Sequence, residues 1–530
     1  MRARHYTALI LVASLGIGTS VDRSTTAAGA ATTGHDNGPD FNGDGYDDLV
    51  IADRNHEVNG HSGAGQVWVL PGSRSGPSIP NRQMWSQLTF GVPGEPAVDE
   101  EFGAAWATGN FNGDRFSDIA ICAPRDVVSG ETGAGGLVVL LGSAAGLTTT
   151  GAKALHRNTP GVPGVATTDE RWCDEGLVAG DFDGDGRDDL AITSVWTDVN
   201  GRTDAGSVTV LRSGRSGPSG VGALEINQAS RGVFGPVQEN DYFGSFGIAA
   251  GDLNGDRRDE LVVVMDDLDV NGVTDAGGVF VFPGSASGVK TLGSTVITRA
   301  TAGVPGALTE YGEFGAGRPA IADWNKDGYG DLAIVDPEAT IGGALEAGQV
   351  LILRGSPRGV TAVGISVLNQ NRAGVPDTAE ADEWFGFESL ATADFNGDGR
   401  ADLAVGNPYE DIGAVVNAGA VFTFYGNGTT VAAFDSRMHH ADSSGMPGSP
   451  TTDGLLAGNL IWTGDYNGDG YADLALGCSG CDTMTAANVG TVTILRGSSG
   501  GISTVGVRLL RRSSIPGEID DPDAHFGVAA

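Results

Sequence analysis

An acidic nonapeptide, Asp40-Phe41-Asn42-Gly43-Asp44-Gly45-Tyr46-Asp47-Asp48, returns six more times along this chain at an almost fixed interval. The later copies start at Asn110, Asp181, Asp252, Asp323, Asp394 and Asp465, so the step is 70 residues once and 71 residues thereafter. A period that strict means one supersecondary unit repeated with almost no tolerance for insertion. It argues for one closed array rather than the several unrelated domains that 530 residues would otherwise allow.

Each repeat reads as four short strand-like segments. The first carries Phe-Gly eight or nine residues ahead of the acidic loop, at Phe102-Gly103, Phe243-Gly244, Phe314-Gly315 and Phe385-Gly386; Trp172-Cys173 and Leu456-Ala457 take that place in two copies. Behind each loop comes an apolar run such as Leu49 to Ala52 or Ile119 to Ala123, the pattern of a strand buried on both faces. A third segment ends at a Gly-Ser pair, as in Gly72-Ser73 and Gly355-Ser356, where glycine is expected to supply the positive φ of a tight hairpin. A fourth, outer strand leads to Gly-Val-Pro or a variant. Gly at 86 of 530 residues, with no long 3.6-residue periodicity, favours strands and turns over helices.

Seven units of four antiparallel strands predict an all-β fold, a seven-bladed β-propeller formed by residues 31–530. The first loop has no Phe-Gly segment ahead of it, whereas His525-Phe526-Gly527-Val528 follows the seventh unit without an eighth loop. The expectation is a ring closed by the C-terminal strand, which pairs into the blade containing the first loop.

The loops fit Asp-x-Asp/Asn-x-Asp-x-x-x-Asp/Glu, a spacing that turns alternate side chains inward. Ca²⁺ needs this, because it takes six to eight oxygens at about 2.3–2.6 Å. Candidate ligands are positions 1, 3, 5 and 9, with the backbone carbonyl of position 7. In the first loop they are Asp40, Asn42, Asp44, Tyr46 and Asp48, and in the second Asn110, Asn112, Asp114, Phe116 and Asp118. The third has Asp181, Asp183, Asp185, Arg187 and Asp189; the fourth Asp252, Asn254, Asp256, Arg258 and Glu260. The fifth has Asp323, Asn325, Asp327, Tyr329 and Asp331; the sixth Asp394, Asn396, Asp398, Arg400 and Asp402; the seventh Asp465, Asn467, Asp469, Tyr471 and Asp473. Position 12, where an EF-hand carries its bidentate Glu, is Ile51 or a counterpart in the next strand, so these are not EF-hands. Loop 2 keeps two carboxylates and should bind most weakly; loop 3 has four and should bind most tightly. Up to seven structural Ca²⁺ ions are expected, Mg²⁺ being less suited because it retains more water.

The Phe-Gly segment, the Asp-Phe-Asn-Gly-Asp-Gly loop and Ala123-Pro124 resemble FG-GAP repeats, the blades of the integrin α-subunit N-terminal propeller, over about residues 36 to 530. The resemblance implies a seven-bladed propeller with Ca²⁺ in the loop between the first two strands of a blade. Seven metal-competent loops are more than an integrin propeller usually carries. Neither leg domains nor a transmembrane helix are read here, so heterodimeric receptor function is not carried over.

Residues 1–30 read as a signal peptide, with Arg2 and Arg4, an apolar run from Ala8 to Gly18, and cleavage expected between residues 20 and 30. No second apolar stretch is long enough to span a bilayer, so a secreted, extracellular protein is expected. Four cysteines fit that compartment: Cys478 with Cys481, leaving Cys122 for Cys173, with a redox or zinc half-site as the alternative for the C-x-x-C. The formal net charge of −36 disfavours nucleic acid and anionic membrane as partners.

Residues ahead of Phe-Gly should lie at the propeller end opposite the loops. They are acidic and aromatic: Asp99, Asp169, Trp172, Asp241, Tyr242, Tyr311, Asp382, Trp384, Asp453 and Asp523. Such a ring could recognise an extracellular protein or glycan; the plainer reading is a solvated rim with aromatics wedged between blades. The expected function is a calcium-stabilised binding or adhesion propeller. The alternative is an extracellular hydrolase, esterase or phospholipase-like, using the propeller face or channel. Gly497-Ser498-Ser499-Gly500-Gly501 matches a nucleophile elbow only formally, since it occupies a hairpin place. His439-His440 reads as a surface turn, and oligomeric state is left open.

Overall fold

The computed structural model describes residues 38–387, 389–481, 489–520 and 526–527. The segment expected to be a signal peptide and Asp523 lie outside the described residues. Seven antiparallel sheets follow one another along the chain, six of them four-stranded and the first three-stranded. In the second blade the strands are Trp106–Gly109, Asp118–Ala123, Gly136–Leu141 and Thr148–Leu155, each paired with the next. Trp106 stands opposite Ile121, Ile119 opposite Leu140 and Leu137 opposite Leu155.

Burial follows position in the blade. Second strands such as Asp118–Ala123 and Asp331–Asp336 are buried along their whole length, with neighbouring blades covering both faces. Fourth strands such as Thr148–Leu155 are largely exposed. Five of the third-to-fourth pairings shift register, for example between Val139 and Leu141, which twists the outer edge away from further pairing. Phe-Gly, expected within the first strand, instead precedes it in a turn, with Gly103 at φ 96°. The Gly103 N–H donates to Cys122 O on the second strand.

The Gly-Ser pairs also differ from expectation. Gly72 is not in the left-handed region; a Cβ there would lie 2.3 Å from Asp47 O and 2.6 Å from Tyr46 Cβ. Close backbone approach, not φ, therefore demands glycine. The turn itself is held by Ser73 Oγ, which donates to Gly76 O.

Ring closure repeats the bonds that join every other pair of blades. Phe102 N–H donates to Ala64 O of the preceding blade, and Phe526 N–H donates to Val489 O in the same way. The Gly527 N–H donates to Ala52 O, as Gly103 does to Cys122 O. On the loop side Asp47 N–H donates to Asp465 O, as Asp188 does to Asn110 O and Asp259 to Asp181 O. The inner place of the first blade is shared by both chain ends: Pro39 O accepts from Asp48 N–H, and Phe526 packs edge-on against Trp68. No helix among the described residues is long and apolar enough to cross a membrane.

Candidate functional site

In blades 2 to 7 the acidic loops join first to second strands, loop 1 leads into Leu49–Asp53, and all seven lie on one face of the ring. In loop 1, Gly43 and Asp44 N–H donate to Asp40 Oδ1, Gly45 N–H to Asp40 Oδ2, Asp44 N–H to Asn42 Oδ1 and Tyr46 N–H to Asp44 Oδ1. These short-range bonds fold positions 1, 3 and 5 toward a common centre. The ninth residue is tied to the scaffold: Asp48 is buried and accepts from Phe41 N–H and Gly72 N–H. Asp118 and Asp402 accept from the equivalent pairs.

Burial pushes the ninth carboxyl up, to about 7 for Asp48, Asp118, Asp189, Glu260 and Asp331 and about 8 for Asp402. Asp473 rises only to about 6, because the Arg496 guanidinium opposes the effect of burial. An all-oxygen donor set of mutually repelling carboxylates is the kind a hard divalent cation takes. In loop 3 one oxygen each of Asp181, Asp183 and Asp185 lie within 4.8 Å of one another, so the residues present fit such an ion there. Two ion pairs at this loop were missed by sequence reasoning: Arg212, on the third strand of the blade, pairs with Asp183, and Arg187, within the loop, pairs with Asp185. They offset the charge advantage expected of loop 3. In blade 7, Arg496 Nη1 is 3.1 Å from Asp473 Oδ2. The signal was present one residue ahead of the third-strand turn, where Arg212, Arg354 and Arg496 stand in alternate blades.

Position 8 was also missed. Asp47 Oδ2 accepts from Asp465 N–H, Asp188 Oδ2 from Asn110 N–H and Asp259 Oδ2 from Asp181 N–H, so each carboxylate clamps the preceding blade. Position 7 reaches back as well: a Cβ on Gly43 would lie 2.8 Å from the Phe116 ring.

On the opposite face the residues ahead of Phe-Gly are held against the loop of the preceding blade. Asp99 N–H donates to Ser62 O and Glu101 N–H to Gly63 O, with both residues at positive φ. Asp169, Tyr242, Tyr311, Asp382, Trp384 and Asp453 share that conformation. Asp99, Asp169, Tyr311, Asp382 and Asp453 are exposed, while Tyr242 and Trp384 are half-buried against Trp196 and against Phe387 and Tyr409. Two expected members do not face solvent. Trp172 takes the Phe place, so it is fully buried, its Nε1 donating to Thr209 Oγ1. Asp241 is buried too, accepting from Gln238 N–H.

An axial cavity of about 680 Å³ runs between the inner strands, lined by Trp106, Leu177, Ile248, Leu390 and Trp462, with Asp181, Asp252, Asp323, Arg257 and Lys326 toward the loops. Trp106 and Trp462 stack at 5.9 Å. Ser498 Oγ donates to Gly501 O in a hairpin between two strands, not the strand-to-helix turn of a nucleophile elbow. His439 and His440 end a fourth strand rather than forming a turn, and burial pushes the His439 imidazole down to about 4. Both disulfides form as expected: Cys122–Cys173 ties blade 2 to blade 3, and Cys478–Cys481 closes a short loop.

The FG-GAP repeat model matches residues 36–70, 175–211 and 386–424. Integrin alpha-5 of Xenopus laevis is 29% identical over 177 residues, 33% of this chain and 15% of its own length. Integrin alpha pat-2 of Caenorhabditis elegans is 29% identical over 308 residues, 55% of this chain and 23% of its own. Phosphatidylinositol-glycan-specific phospholipase D of Mus musculus is 32% identical over 158 residues, 29% of this chain and 17% of its own. The chain thus spans less than a quarter of each of these relatives.

Proposed function

From an integrin-alpha-like propeller built of FG-GAP repeats, we propose a secreted binding or adhesion module, stabilised by calcium in its loops, that recognises an extracellular protein or glycan. One observation carries the reading: an exposed rim of Asp99, Asp169, Tyr311, Asp382 and Asp453 is held in the left-handed conformation in blade after blade. Non-glycine residues adopt it at a cost of order 1–3 kcal/mol each. Inter-blade bonds hold them there, so the rim is rigid before any partner arrives, which lowers the entropy lost on binding. Acids and aromatic rings together suit sugar hydroxyls and basic or amide-rich peptide surfaces.

The loops take the supporting role. A cation bound by loop 1 would be held by Asp40, Asn42, Asp44, Asp48 and the Tyr46 carbonyl, and would supply the positive charge that lets buried Asp48 ionise. The two disulfides and the similarity to integrin subunits support an extracellular setting. The test is a screen of the pure protein on glycan and extracellular-protein arrays, with and without EDTA. Saturable binding supports the module. Turnover of ester, phosphodiester or glycoside substrates without such binding would favour a hydrolase instead.

A further inference from the structure

The rim side of each blade junction reuses one set of positions, and the seven copies fill it differently. Between blades 2 and 3 the occupant is Arg157, buried, with Nε 2.9 Å from Glu170 Oε1 and Nη2 donating to Thr197 Oγ1. Between blades 4 and 5, Arg299 pairs with Asp336. Between blades 7 and 1, Arg512 Nη1 lies 3.5 Å from Asp53 Oδ2. Between blades 6 and 7 the Cys478–Cys481 disulfide stands there.

Between blades 5 and 6, three repeats on from Arg157, the residue is Gln370, and Glu410 replaces Thr197. Two carboxyl groups, Glu383 and Glu410, are now buried at 3% and 1% exposure with no arginine between them. Gln370 Nε2 and Asn407 Nδ2 both donate to Glu410 Oε2, at 2.8 and 2.6 Å. Among the described residues their amide oxygens have no hydrogen-bond partner, although Gln370 is 1% and Asn407 0% exposed. Buried oxygens left unpaired beside carboxylates are costly and point to a missing positive partner. The neighbouring His440 does not supply it at neutral pH, since burial pushes its imidazole down. Asp377, exposed, reaches Glu410 and gives the cluster a path to solvent.

We propose that the junction between blades 5 and 6 binds a hard divalent cation of the Ca²⁺ class through Glu383, Glu410, Gln370 Oε1 and Asn407 Oδ1. The ion does there what a guanidinium does at three sister junctions. The site is separate from the seven loops, which lie on the other face, and it locks two rim segments together. All-oxygen ligands of mixed carboxylate and amide type select Ca²⁺ or Mn²⁺ over softer metals.

Crystals of the full chain soaked in Mn²⁺ test this by anomalous scattering. A peak between Gln370 and Glu410 is expected; filled loops beside an empty junction would overturn the proposal. Two variants copy the arginine junction. Gln370→Arg and Glu410→Thr should each remove that peak and, in EDTA, melt above the parent by about 2 °C. Variants that melt at or below the parent in EDTA would mean the junction lacks no positive charge. No manganese peak, together with a gain in stability of the parent over Glu410→Thr in EDTA as pH falls from 8 to 5, would show a proton shared between Glu410 and Asp377 and also overturn the proposal; the loop carboxyls are common to both proteins and cancel in that difference.

Discussion

Replacing Phe526 by Ala tests whether the ring closes as described. The ring of Phe526 is fully buried, packs on Trp68 at 5.6 Å between centroids, and is followed by the Gly527 bond to Ala52 O. Truncating a buried Phe costs about 3–5 kcal/mol in transfer and cavity terms. Loss of the adjoining backbone bonds adds about 1 kcal/mol where the segment detaches. The expected loss is therefore about 4–6 kcal/mol, read from urea unfolding followed by fluorescence and by hydrogen exchange. Phe385→Ala is the control, since Phe385 fills the same place inside the chain and is equally buried. The control should lose packing energy alone, whereas Phe526→Ala should also raise exchange at the amides of residues 526 and 527, which donate to Val489 O and Ala52 O, well before global unfolding. A loss below about 1 kcal/mol, with unchanged exchange in blades 1 and 7, would refute closure through the C-terminal segment.

Chelation by EDTA should lower the melting temperature, and Ca²⁺ should restore it; an unchanged transition would refute the structural role of the loops. His439 is held neutral by burial, its pKa lowered to about 4 from an ordinary value near 6.5. Its contribution is thus present above about pH 6.5 and falls away as pH drops toward 4, a loss of order 3 kcal/mol that His439→Phe should abolish in pH-dependent denaturation. Removing Cys122–Cys173, which spans 51 residues, should cost about 4 kcal/mol, against about 2 kcal/mol for Cys478–Cys481, which spans 3. Gly355→Ala should strongly destabilise its blade in the same assay, because a Cβ there would lie 2.1 Å from Gly330 O.

The repeat makes the architecture legible in the sequence itself. Seven acidic loops set the blade number, and the unmatched Phe526-Gly527 marked where the ring closes. The reasons behind particular residues were less legible. Gly72 looks like a hairpin glycine in sequence, yet close backbone approach demands it, and that neighbour comes from a separate part of the fold. Trp172 looks like a rim aromatic until the register places it in the Phe pocket. The clamps at Asp47, Asp188 and Asp259 sit beside loop ligands in sequence but act on the preceding blade, a relation that only the ring creates. The alternation of Gln370 with Arg157 was readable from the repeat alignment alone; its meaning required seeing Glu410 facing it.

The most direct test of the account compares two variants on the same arrays. Asp382→Asn with Tyr311→Ala alters the rim, and Asp185→Asn alters a loop. At a temperature where both are folded, the account predicts that the rim variant loses the binding shown by the parent while the loop variant keeps it. Binding that survives in the rim variant but vanishes in the folded loop variant would place recognition on the calcium face and contradict the account.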